Sequence, residues 1–259
     1  MKKGSMMKNL PLSLLMVATI GSTAMAETPK NATPTVVLVH GAFSDGSAWT
    51  KVIPVLEAQG LDVVAVQNPL TSFQEDVATT RRALARIKGP IVLVGHSYGG
   101  AVITEAGAND DEVKALVYVA AFAPSTGQSV SDLTKDYATP SGFSHIDADG
   151  EGYLKLTREG IEKHLAQDVS PEQTSIMYTT QAPTNGAVFG VKISKSAWEN
   201  RPSWYIVSEH DHRLDTDLQK AMARKINAHT TTFNTSHAPH ISQPTEVARV
   251  ILDAVKNIK

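Results

Sequence analysis

A chain of 259 residues is long enough for one large α/β domain and short for two ordinary ones; with 42% hydrophobic and 19% charged residues and no long polar tract, it does not read as disordered, collagen-like or coiled-coil. Lys plus Arg number 24 against 26 Asp plus Glu, a formal net charge of −2 without a basic run, which argues against nucleic-acid binding. Cysteine is absent, so disulfides, thiolate metal sites and a cysteine nucleophile are excluded and any covalent chemistry falls to other side chains.

The amino terminus reads as a secretory signal peptide over residues 1–26. Lys2, Lys3 and Lys8 precede a mostly apolar stretch from Leu10 to Ile20, and Ala24-Met25-Ala26 offers small residues at a cleavage site before Glu27. The apolar stretch is well short of the roughly 20 residues that span a bilayer, so a stable membrane anchor is not expected. Cleavage removes three lysines and no acid, moving the formal charge from −2 to −5. A periplasmic or secreted, mildly acidic protein is expected, and the missing cysteines suit an oxidising compartment. Residues 27–35, with Pro29, Pro34 and small polar residues, read as a linker into a domain spanning 36–259.

Within that domain, continuous apolar and β-branched runs predict strands buried on both faces at Val36–Val39, Val63–Val66, Ile91–Val94, Leu116–Val119 and Trp204–Val207, with a further strand at Thr230–Thr235. Helical spacing falls between them, at Ser47–Gln59, Gln74–Lys88, Tyr98–Ala108, Thr216–Asn227 and Thr245–Ile258. Alternating strand and helix predict an α/β fold, a mostly parallel sheet with helices on both faces. From about 124 to 201 the rhythm breaks into a segment rich in Gly, Ser, Thr and Asp, with scattered aromatics and short helical pieces at Glu159–Gln167 and Pro171–Tyr178. This reads as a small helical cap insertion over the carboxyl edge of the sheet, too poor in strands to be a domain of its own.

Gly95-His96-Ser97-Tyr98-Gly99 follows an apolar strand and runs directly into a helix, the context a GxSxG nucleophile turn requires. A serine hydroxyl needs a base within hydrogen-bond reach and an acid to orient that base. The order Ser, acid, His points to Asp211 just beyond the Trp204–Val207 strand, with Glu209 and Asp215 as competitors. The base is expected at His237, just beyond the next strand, with His240 as its rival. The backbone N–H of Tyr98 and that of Ala42, in the His40-Gly41-Ala42-Phe43 turn, are the expected oxyanion hole. His210-Asp211-His212 could suggest a metal, but adjacent side chains diverge and no third ligand stands at helical spacing, so neither metal nor cofactor is expected.

Val37-Leu38-Val39-His40-Gly41-Ala42, Gly46-Ser47-Ala48-Trp49, Leu56-Glu57-Ala58-Gln59-Gly60 and Gly95-His96-Ser97-Tyr98-Gly99-Gly100 together resemble the α/β-hydrolase superfamily, over nearly the whole length after residue 26. The branch most similar to it holds plant methyl-ester esterases and hydroxynitrile lyases. The resemblance implies the α/β-hydrolase fold, with Ser97, Asp211 and His237 as triad and Ala42 with Tyr98 as oxyanion hole. The lyases carry a threonine on the oxyanion loop and a lysine just after the histidine; here those positions are Ala42 and Ala238, which favours ester hydrolysis over cyanohydrin cleavage. A small-molecule ester of small or medium apolar character is the expected substrate, and the acidic excess of the insertion points away from strongly anionic ones. The alternatives are another triad reaction (lactone or amide hydrolysis, perhydrolysis) and a ligand-binding or signalling protein on the same fold with slow turnover.

Overall fold

The computed structural model describes Met1 and residues 33–258, so the rest of the leader read at 1–26 and most of the linker read at 27–35 lie outside the described residues. In chain order the elements are β1 (Thr35–Val39), α1 (Ile53–Glu57), β2 (Asp62–Val66), α2 (Phe73–Leu84), β3 (Ile91–His96), α3 (Tyr98–Ala106), β4 (Val113–Val119) and α4 (Val130–Thr134). They continue with β5 (Ile146–Ala148), β6 (Tyr153–Leu156), α5 (Pro171–Thr180), β7 (Thr184–Asn185), β8 (Ser203–Ser208), α6 (Thr216–Lys225), β9 (His229–Phe233), α7 (Pro239–Ser242) and α8 (Pro244–Asn257).

Six parallel strands form the main sheet in the order β2-β1-β3-β4-β8-β9. Side chains alternate across each strand, so the sheet divides the apolar interior into two layers. Val37, Val39, Leu93, Tyr118 and Tyr205 face one layer with Val77 of α2, Ile103 of α3 and Met222 of α6. Val36, Leu38, Val94, Val117 and Ile206 face the other, with Leu56 of α1 and Val247 and Ile251 of α8. Helices on both faces of a parallel sheet are what the runs of Val, Ile and Leu demand.

The two edge strands depart from the expected burial. Val63, Val64 and Ala65 of β2 are only half-buried, and most of β9 is exposed, because an edge strand has a neighbour on one side only. The single helix expected at Ser47–Gln59 is instead a 3-10 turn at Gly46–Trp49 followed by α1. Pro54 accounts for the restart: it has no N–H to bond the preceding turn and sits in the first turn of α1, where that loss costs nothing.

The insertion is not purely helical. β5, β6 and β7 form a small antiparallel sheet, alongside α4, α5 and a π-helical turn at Gly160–Leu165. The hairpin between β5 and β6 is set by Asp149, whose Oδ1 accepts the N–H groups of Glu151 (2.9 Å) and Tyr153 (2.8 Å), with Gly152 at φ +85°. Gln181 extends this sheet with its side chain: its amide donates to the Leu156 carbonyl (3.0 Å) and accepts from the Leu156 N–H (2.8 Å), as a neighbouring backbone would.

Candidate active site

The sheet order brings the site together. β1 lies between β2 and β3, so the chain leaves it in opposite directions on its two sides, the position at which open α/β sheets bind ligands beyond their carboxyl ends. Val39 pairs with Gly95, and the turns that follow β1 and β3 therefore emerge side by side. A Cβ on Gly41 would lie 3.0 Å from Ser97 Cβ, a measure of how closely the two turns pack.

Ser97 sits between β3 and α3 at φ 51°, ψ −122°, a region that a residue with a Cβ occupies at a cost. Its flanking glycines make that turn possible. A Cβ on Gly95 would fall 2.6 Å from the Gly99 carbonyl oxygen, and one on Gly99 would fall 2.5 Å from that of His40. Tyr98, first residue of α3, turns its side chain away from the turn, where its hydroxyl donates to Asp76 Oδ2 (2.7 Å). Its backbone N–H, in the first turn of α3, has no acceptor within the helix.

Ser97 Oγ lies 2.8 Å from His237 Nε2, and His237 Nδ1 lies 2.6 Å from Asp211 Oδ2. A carboxylate only accepts, so Nδ1 carries the imidazole proton and Nε2 is left to receive the serine's. The side chains of His237 and Asp211 are 4% and 0% exposed, so this relay is shut away from solvent. Asp211 is held by three further donors: Gln219 Nε2 to Oδ2 (2.8 Å), and the N–H groups of Arg213 (2.7 Å) and Leu214 (2.8 Å) to Oδ1.

The rivals occupy other posts. Asp215 caps α6 by accepting from Leu218 N–H (2.9 Å), and Glu209 is exposed. His240 is buried behind the site, its ring 4.2 Å from that of His96 and 4.7 Å from that of Trp49, and burial with the nearby His237 lowers its pKa to about 3. His96, the variable residue of the elbow, turns Nε2 to the His237 carbonyl at 2.8 Å. Nothing at sequence level singled it out for that contact, which depends on where β9 ends.

The oxyanion-loop candidate Ala42 lines the same cavity as Ser97. The next residue, Phe43, is at φ 61° and donates its N–H to Thr184 Oγ1 of the cap (2.9 Å), tying this loop to the insertion. The cavity encloses about 390 Å³ between sheet edge and cap, with Phe43, Ile161, Met177 and Phe189 among its apolar walls. Phe143 and Ile176, 44% and 51% exposed, also line it and give its mouth an apolar rim. Arg213, which sequence reasoning passed over, lines it as well.

The chain is 29% identical over 212 residues to Methylesterase 8 of Arabidopsis thaliana, covering 72% of this chain and 75% of that one. It is 24% identical over 253 residues to a pyrethroid hydrolase of Sphingobium wenxiniae, covering 84% and 86%. The solved structure of a pyrethroid hydrolase from Sphingobium faniae superimposes with a TM-score of 0.75 at 25% identity, over 87% of this chain and 98% of that one. Residues 36–250 match the family model described as the alpha/beta hydrolase family, and the chain belongs to that family.

Proposed function

We propose that the protein is a serine hydrolase that cleaves carboxylic esters of small or medium size and apolar body. The observation that carries this reading is the unbroken Ser97, His237, Asp211 relay at 2.8 and 2.6 Å beside an apolar cavity. Relatives named methylesterase and pyrethroid hydrolase support the same class of reaction.

In this reading His237 Nε2 takes the Ser97 proton as Oγ attacks the ester carbonyl carbon, and Asp211 stabilises the imidazolium. The N–H groups of Ala42 and Tyr98 receive the negative charge that develops on the carbonyl oxygen. The tetrahedral intermediate collapses, and the alcohol leaves with the proton from His237. Water then attacks the acyl-serine, losing its proton to His237, and the acid departs as Ser97 regains its hydrogen.

The test is turnover of 4-nitrophenyl butyrate beside a serine-reactive phosphonate read by intact mass. Wild type is expected to turn over and to take one adduct, with Ser97→Ala abolishing the adduct and lowering kcat by about 10⁴ or more. Turnover that survives Ser97→Ala sinks the assignment. An adduct on Ser97 without turnover of any ester favours the slow, ligand-binding alternative. The leader read at residues 1–26 supports export; recovery of a mature protein beginning at Glu27 outside the inner membrane tests it.

A further inference from the structure

Arg213 stands two residues beyond Asp211, lines the cavity with Ser97, and is only 8% exposed. Its Nη1 donates to the Gly142 carbonyl of the cap, and its guanidinium carbon lies 5.2 Å from the Phe143 ring centre and 5.8 Å from that of Phe43. Gly142 makes this approach possible, since a Cβ there would lie 2.6 Å from Arg213 Cδ and 2.7 Å from the His212 carbonyl oxygen.

A guanidinium has five N–H donors in a planar fork. Among the described residues no carboxylate forms an ion pair with Arg213, and its Nε and Nη2 find no hydrogen-bond acceptor. Asp211, whose charge acts on Arg213, gives its oxygens to His237, Gln219 and two backbone N–H groups. Burial brings the Arg213 pKa down to about 10 against the opposing pull of Asp211, so the group is charged at neutral pH. The unpaired Nε and Nη2 each keep some accessible surface, so solvent or a ligand can reach them, and a structural clamp to one carbonyl needs only one of the five donors. The other charged side chains along the cavity differ: Lys51 is exposed, and Asp45 is only half-buried with its Oδ1 taken by the Ser47 N–H (2.6 Å).

We propose that Arg213 is an anion subsite within the cavity, and that the preferred esters carry a carboxylate separated from the scissile bond by an apolar segment. Arg213 comes from the core loop beyond β8 and meets the insertion at Gly142 and Phe143, so it supplies a positive charge where core and cap join. A carboxylate would replace solvent at the free edge of the fork, while its hydrocarbon lies against Phe43, Phe143 and their neighbours. The inference names a substrate class for the ester-hydrolase reading and rests on it, but its binding component can be measured without turnover.

Calorimetric titration with octanoate and its neutral analogue octanamide, on wild type, Arg213→Met and Arg213→Lys, separates the possibilities. Octanoate is expected to bind wild type at least about tenfold more tightly than octanamide, and Arg213→Met to erase that difference while octanamide affinity holds. Arg213→Lys keeps the charge and retains part of the preference. Equal binding of the two ligands to wild type, or an equal loss of both in Arg213→Met, overturns the subsite and leaves Arg213 as a cap clamp. If Arg213→Met does not fold, Arg213→Lys and the wild-type ratio still decide. In a parallel assay, kcat/KM for monomethyl suberate over that for methyl octanoate is expected to fall about tenfold or more in Arg213→Met. If neither ester nor 4-nitrophenyl butyrate turns over in wild type, the ester-hydrolase reading fails while the titration still judges the subsite.

Discussion

His96 holds the backbone of His237: its Nε2 lies 2.8 Å from the His237 carbonyl oxygen, and because a carbonyl only accepts, Nε2 carries the proton. The ring centres of the two residues are 4.9 Å apart, so the residue before the proposed nucleophile braces the proposed base both through its main chain and through its ring. Replacing His96 by Leu removes the donor and leaves a buried carbonyl unpaired. The expected result is a fall in kcat of about 10- to 100-fold that exceeds any change in KM, since the reacting atoms lose alignment while His96 is one of many residues lining the cavity. Steady-state kinetics on 4-nitrophenyl butyrate check it; an unchanged kcat would show that the contact is dispensable.

Acid should destabilise the protein before its carboxylates titrate fully. Burial lowers the pKa of His40, of His96 and of His240, the last to about 3, and His240 Nδ1 finds no partner among the described residues. Each imidazole takes up its proton at lower pH in the fold than in the unfolded chain, where it protonates near pH 6.5, so the unfolded state binds more protons as pH falls below that value. The His240 contribution is intact above about pH 6.5 and is lost as pH falls toward about 3, at about 1.4 kcal/mol per pH unit. Denaturation followed from pH 7 to pH 4 is expected to show a steeper decline for wild type than for His240→Phe. Parallel declines would mean that His240 titrates alike in both states.

The strand-end residues were legible because their positions follow from one-dimensional pattern. Ser97, Asp211 and His237 each follow a β run at the same end of a parallel sheet, so the GxSxG turn together with chain order pointed to all three, against Glu209, Asp215 and His240 as rivals, and the fold brings them within hydrogen-bond distance. β5, β6 and β7 were missed although Asp149-Gly150 is a hairpin signal, because strands of 3, 4 and 2 residues are too short for alternation to stand out. Arg213 and His96 were passed over for a different reason. Their environments are made by residues 71 and 141 positions away, and no local pattern carries that information.

The two classes of glycine in this chain predict opposite outcomes. A Cβ on Gly99 would stand 2.5 Å from the His40 carbonyl oxygen and 2.7 Å from that of Val39, both backbone atoms that cannot swing aside. Gly99→Ala is expected to separate the turn after β1 from the turn after β3, costing about 3 kcal/mol or more and abolishing turnover. Gly150→Ala, at a turn with nothing within 4 Å, should change stability by less than about 0.5 kcal/mol. Urea denaturation of both variants provides the comparison, and similar midpoints would contradict the close packing of the two turns.

Asp211 accepts four hydrogen bonds, so Asp211→Asn cannot be a quiet substitution. Whichever way the new amide turns, its NH₂ meets donors: His237 and Gln219 on one side, or the N–H groups of Arg213 and Leu214 on the other. In the first orientation His237 is driven to the wrong tautomer, and in the second the loop beyond β8 loses its anchor. A loss in kcat of about 10³ to 10⁴ is expected from the first. The second adds about 1–3 kcal/mol of destabilisation. Kinetics and thermal melting measured together distinguish the two, and a variant with near wild-type kcat would remove Asp211 from the relay.

Gln181 offers the sharpest test of whether the cap shapes the cavity. Its amide supplies both partners of Leu156, whose N–H and C=O are otherwise the unpaired edge of β6, and it lines the cavity at the same time. Gln181→Ala leaves a buried donor and a buried acceptor without partners, at about 2–4 kcal/mol together. Because Leu156 packs with Phe43 and Ile161, the disturbance reaches the cavity wall and the loop proposed to receive the oxyanion. Gln181→Glu keeps the acceptor for the Leu156 N–H but sets an oxygen against the Leu156 carbonyl, so it should be no better than alanine. Hydrogen exchange is expected to show faster loss of protection at Leu156 in both variants, with the main sheet unchanged and KM for 4-nitrophenyl butyrate raised. Faster exchange confined to the cap with KM unaltered would mean that the cap can loosen there without altering the proposed substrate cavity.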